Sequence, residues 1–155
     1  MGDSNGLVKM LRKDTSQLSV CDKWISFGSI DSAIKAKIRG HVLYLIEFQE
    51  NNTKLGYSEN LTNRLYRHKN QIKKRGLLSH RVYVRIIPNI IREDDEIFIH
   101  NCFCECLGKK YNLMLPDDYL YDYETYPIGI EPMTALVEIG LNEVIYRAKE
   151  QLCVI

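Results

Sequence analysis

The sequence predicts an α+β fold, a small three-stranded antiparallel sheet flanked by helices, with an additional C-terminal helix. Three observations carry that expectation. An apolar run ending at Phe48 is followed by the turn residues Asn51 and Asn52 and a second short run, the pattern of a β-hairpin. Two stretches of helical spacing follow, 61–75 and 93–107, with a strand-like segment between them. A last apolar stripe of helical period lies near the C-terminus.

The elements follow in order. Residues 1–20 read as a flexible polar tail, and 21–155 as one domain with a C-terminal helical extension. Trp24, Ile25 and Phe27 open the ordered part. Ser29 or Asp31 caps a short helix over 32–39, which Gly40 ends. Residues 41–48 form a strand apolar on both faces, and 53–58 return as its partner. Ser58 or Asn60 caps the helix 61–75, with Leu61, Leu65 and Ile72 on one face and Gly76 as its stop. Residues 80–87 make the third strand, ended by Pro88-Asn89. The helix 93–107 opens on four consecutive acids, which suit a positive helix N-terminus, and Gly108 ends it. Residues 111–131, rich in Tyr, Asp and Pro, read as an ordered loop or extension. Pro132 takes the first position of a helix running to Lys149. Met133, Leu136, Val137, Leu141, Val144 and Ile145 form its buried stripe.

The net charge of +1 names no partner, but its distribution is uneven. From Asn60 to Arg92 there are nine Lys/Arg and no acid. From Glu93 to Glu138 there are eleven acids and two bases. A local basic segment on a balanced chain fits a polyanion site, and fits a solvated face equally well. No apolar run reaches the length of a membrane span, and the N-terminus shows no secretory signal. Five cysteines, an odd number, then point to a reduced intracellular compartment, cytoplasm or nucleus.

Within this frame stand Val42-Leu43-Tyr44 on the first hairpin strand and Lys54-Leu55-Gly56 on the second. Arg64 and His68 follow on the next helix, and Glu96 with His100 on a later one. This ordered set resembles the GIY-YIG nuclease superfamily, with its Glu96–His100 helix similar to that of a phage- and virus-associated branch. The resemblance covers residues 41–107. It implies an endonuclease acting on DNA with one divalent ion, Mg²⁺ or Mn²⁺, held by Glu96. It also implies catalytic roles for Tyr44, Lys54, Arg64, His68 and Glu96. The first triplet departs from the family by lacking its Gly and Ile, and the second by carrying Lys for Tyr.

The residues support such chemistry on their own terms. Phosphodiester hydrolysis needs an activated water and neutralised phosphate charge. Tyr44 is a candidate base, and Lys54 across the hairpin would favour its phenolate. Arg64 and His68, four apart, share a helix face; the guanidinium fork suits phosphate oxygens. Glu96 is a candidate ligand, with Glu93, Asp94 and Asp95 as rivals that could merely complement the helix dipole. Arg67, Lys69, Lys73, Lys74 and Arg75 are candidate contacts to the nucleic-acid backbone.

Two other readings stand beside the nuclease. The degenerate triplets also fit a module that binds nucleic acid or a protein without cutting. His100, Cys102, Cys104 and Cys106 invite a metal or redox reading, although C-x-C-x-C on one helix scatters its thiols and suits buried cysteines better. His41 and His80 read as structural. With no separate DNA-reading domain, specificity would come from a homodimer or from the C-terminal extension.

Overall fold

The computed structural model describes residues 23–106, 120–122 and 124–154, with the side chains of 105, 106, 149 and 151–154 left aside. The tail 1–20, Cys21, the end of the third helix at 107–108 and the loop 111–119 lie outside the described residues.

The architecture is α+β, with a sheet of five strands rather than three. Strands β1 (Ile25–Phe27), β2 (Val42–Phe48), β3 (Asn52–Ser58), β4 (Ser79–Ile86) and β5 (Thr125–Tyr126) lie in the order β1-β4-β2-β3-β5. Every neighbouring pair is antiparallel. The expected hairpin and third strand form its centre. The two additional strands are edges of three and two residues, too short to show an alternating pattern. The hairpin turn is a 3₁₀ turn over Gln49–Asn51, with Glu50 and Asn51 both at positive φ. Asn52, expected in the turn, is the first residue of β3.

Among the described residues four helices cover the sheet: α1 (Ile30–Lys35), α2 (Leu61–Lys74), α3 (Glu93–Cys106) and α4 (Ile130–Val154). Ser29 caps α1 by accepting the Ser32 amide, which starts the helix two residues earlier than expected. Asn60 caps α2 through the Asn63 amide. Helix α4 starts at Ile130, and the Gly129 carbonyl accepts the Met133 amide. Pro132 therefore falls inside the first turn, where a missing N–H breaks no helical bond.

Strand β2 is buried on both faces, and the period of two sends alternate side chains to two cores. Leu43 and Leu45 join Ile99 and Phe103 of α3 and Met133, Leu136, Val137 and Leu141 of α4. Val42, Tyr44, Ile46 and Phe48 join Ile34 of α1 and Leu61, Leu65 and Ile72 of α2. On β4, Arg81 pairs with Glu47 and Glu131, and Arg85 with Glu138. These two arginines tie α4 to the sheet. They are engaged inside the fold, so the basic segment is not one continuous outward surface. No helix among the described residues is long and apolar enough to cross a membrane.

Candidate functional site

Helices α2 and α3 pack on opposite faces of the sheet, yet residues of both line one cleft. Strand β5 pairs with β3 at Thr53 and Lys54, and among the described residues no strand pairs with the outer edge at 56–58. An open cleft of about 680 Å³ lies there, lined by Gly56–Asn60, by Asn63, Arg64 and Arg67 of α2, by Glu93, Glu96 and Ile97 of α3, and by Glu124. Arg64 and Glu96, expected to share a pocket, both line it. Arg64 is exposed and Glu96 is buried.

Tyr44 and His68 stand one layer behind this cleft and do not line it. Tyr44 is fully buried, with Gly56 as its direct cross-strand partner. Its hydroxyl lies 2.8 Å from Nε2 of His68. On the other side of the imidazole, Nδ1 lies 2.8 Å from the Tyr121 hydroxyl. Burial, and then the Lys54 ammonium, lower the His68 pKa to about 4, so the ring is neutral at pH 7. A neutral imidazole carries one N–H, so one tyrosine donates to it and the other accepts.

Lys54 differs from the expectation. It opposes Ile46 rather than Tyr44, one pair along on the same face. Its ammonium is buried and donates to Asp122 Oδ2 at 2.6 Å and to Glu124 Oε1 at 3.0 Å. Burial disfavours its charge, but the Asp122 and Glu124 carboxylates beside it hold it protonated. Lys54 and Arg64 do pull the Tyr44 pKa down, as expected for a neighbouring cation, but burial dominates and the net shift is upward. Tyr44 is therefore a neutral phenol in the resting protein, and the expected phenolate is corrected by its depth in the core.

Glu96 leads the cluster beyond. Its carboxyl pKa is raised, first by burial; His100 opposes this and Glu124 adds to it. Nε2 of His100 lies 3.3 Å from Oε2 of Glu96 and 3.3 Å from Oε2 of Glu124. Nδ1 lies 2.6 Å from the Tyr126 hydroxyl. One ligand atom from each of Glu96, His100 and Glu124 lies within 4.8 Å of the others, a set able to hold a metal ion. Of the four acids opening α3, Asp95 instead accepts the Arg92 amide, and Glu96 alone enters this cluster. Among the described residues no cysteine belongs to it. Cys102 and Cys104 are buried, and the described residues offer no thiol-based metal group.

The candidate nucleic-acid residues divide. Arg67 lines the cleft beside Arg64, and Lys73 and Lys74 are exposed at the end of α2. Lys69 is paired with Asp31 at 2.5 Å. Arg75 donates to the carbonyls of Tyr121 and Leu120, and its guanidinium lies 5.2 Å from the Tyr121 ring centre. Arg75 is exposed and through these bonds also braces Leu120 and Tyr121. His41 bonds Tyr57 at 2.8 Å, and His80 is exposed.

Sequence reasoning missed Tyr121, Asp122, Glu124 and Tyr126. All lie in the segment read as a loop, and each touches a different part of the site: His68, Lys54, Lys54 with His100, and His100. The signal available was the density of Tyr and acids in that stretch. Comparison of this chain with family models, with curated proteins and with solved structures finds no match.

Proposed function

We propose that this chain is a metal-dependent endonuclease of the GIY-YIG type, hydrolysing DNA phosphodiester bonds. The observation that supports it best is the meeting of Arg64 and Glu96 in one cleft at the β3 edge, with the Tyr44–His68 pair directly behind Gly56. Arg64 and Arg67 offer guanidinium forks to a phosphate entering the cleft. Across from them, Glu96, His100 and Glu124 are the residues that would hold the single Mg²⁺ or Mn²⁺. That ion would polarise the phosphate and stabilise the charge that develops on its oxygens.

Proton movement falls to the buried chain. With Tyr44 donating to Nε2 and Nδ1–H donating to Tyr121, the lone pairs of Tyr44 are left to accept. Once a shift at the β3 edge admits water to its hydroxyl, Tyr44 would take a proton from the attacking water as its own passes to His68. This needs no resting phenolate.

The second reading, a module that binds without cutting, draws on the full burial of Tyr44, which is absent from the cleft surface. Incubation with plasmid and branched DNA in Mg²⁺, Mn²⁺ and EDTA separates the two. The nuclease reading expects strand breaks in one of the metals and none in EDTA. DNA binding with intact strands in all three supports the binding module.

A further inference from the structure

We infer that the outward face of α2 is a platform for an unpaired DNA strand, on which Tyr66 stacks a base beside a basic track leading into the cleft. This deepens the nuclease reading by naming its substrate class, DNA with a single-stranded segment. It rests on that reading for the choice of DNA.

Helix α2 buries Leu61, Leu65, His68 and Ile72, so its period turns the opposite side outward. Asn63, Arg67, Asn70 and Lys74 follow one another at intervals of three or four residues and form one line along that side. Tyr66 and Lys73 lie beside the line, and all six residues are exposed. At 1.5 Å of rise per residue the line is ~16 Å long. Asn63 and Arg67 at its start also line the cleft, together with Arg64. A strand laid along this face therefore leads into the candidate site.

The face is cationic. Arg64, Arg67, Lys73 and Lys74 are exposed on it, and α2 contains no acid. The Asp31 carboxylate of α1 is engaged with Lys69, at the margin of the face. Positive charge of this kind attracts any nucleic-acid backbone and does not tell a duplex from a single strand.

Tyr66 makes that distinction. It is 50% exposed and belongs to neither apolar core. A duplex keeps the faces of its bases stacked inside and shows phosphates to such a surface. An unpaired strand can lay a base face on an aromatic ring, and a cationic groove with aromatic side chains is the usual means of holding one. Asn63 and Asn70 stand three residues before and four after Tyr66, on the same side of the helix. Their amides offer donors and acceptors to the edges of an unpaired base.

The test is binding of the full chain to labelled oligothymidylate and to a duplex of the same length, read by fluorescence anisotropy in EDTA. Tyr66→Ala should weaken the single strand at least ~5-fold and leave the duplex within ~2-fold of wild type. Tyr66→Phe keeps the ring and should bind both DNAs as wild type does. Lys73→Ala with Lys74→Ala should weaken both. Thermal melts confirm that each variant is folded. An unchanged single-strand affinity in Tyr66→Ala, or an equal loss on the two DNAs, would overturn the platform. So would a loss in Tyr66→Phe, which would make the hydroxyl a phosphate contact, or tighter binding of an RNA strand of the same length. Parallel incubation of flapped and duplex DNA with Mg²⁺ and Mn²⁺ keeps the two ideas apart. Single-strand binding that depends on the Tyr66 ring, with all DNA left intact, upholds the platform and sinks the nuclease. Cleavage with single-strand affinity unchanged in Tyr66→Ala does the reverse.

Discussion

Tyr44 and Gly56 are direct partners across β2 and β3, and the Tyr44 ring lies over position 56 so closely that a Cβ there would overlap its hydroxyl end. The glycine is needed for space, since its φ is not among the positive ones. Gly56→Ala forces a fully buried ring to move, at a cost of ~1–3 kcal/mol or more. In a Tyr44→Leu background, where the obstructing end is gone, the same change should cost much less. Urea melts of the four proteins measure this coupling, and an equal cost in both backgrounds would contradict the overlap.

His68 gives a pH signature with a definite sign. Its folded pKa of about 4 lies below the ordinary 6.5. Between those values the unfolded chain binds a proton that the folded chain refuses. This contribution is present above pH 6.5 and is lost as pH falls towards 4. The loss amounts to about 3 kcal/mol at most. Wild type should therefore lose stability between pH 7 and 4 more steeply than His68→Gln. Parallel stability curves would show that the ring is not held neutral.

Lys54→Met removes the cation between Asp122 and Glu124 and leaves two carboxylates facing each other. Breaking a buried pair from one side costs ~3–5 kcal/mol. The loss at pH 7 should shrink in mild acid, as the stranded carboxylates take up protons. Thermal melts of both proteins across that range give the answer. A cost under ~1 kcal/mol at pH 7 would mean that Lys54 is not the centre of this cluster.

The central hairpin, α2 and α3 were legible in the sequence because long, periodic segments declare their faces. Tyr44, Arg64, His68 and Glu96 could be picked out because the motif spans only the hairpin and the two helices. The rest of the site was not legible, for physical reasons. Strand β5 has two residues, too few for a pattern, and it brings Glu124 and Tyr126 to His100 from far along the chain. Lys54 looked like an activator of Tyr44 because its carboxylate partners lie 68 and 70 residues away. Charge alone does not reveal that Arg75 also donates to the backbone carbonyls of Tyr121 and Leu120.

Neighbouring bases at the C-terminal end of α2 should behave differently towards DNA. Lys73→Ala with Lys74→Ala removes two exposed charges and should flatten the slope of log affinity against log salt by up to ~1.8, at ~0.9 per phosphate. Arg75→Ala should leave the slope unchanged and lower the melting temperature, since it unties the segment holding Tyr121. A slope lowered by Arg75→Ala at unchanged stability would return Arg75 to the DNA-binding face.

The most direct test compares wild type with Glu96→Gln, measuring DNA binding and DNA cleavage on the same preparations in Mn²⁺ and Mg²⁺. The variant keeps the side chain's size and leaves Arg64 and Arg67 in place. The predicted result is binding within a few-fold of wild type and cleavage slowed at least ~100-fold, because the lost interaction acts on charge that develops only in the transition state. Cleavage by Glu96→Gln at the wild-type rate would contradict the account.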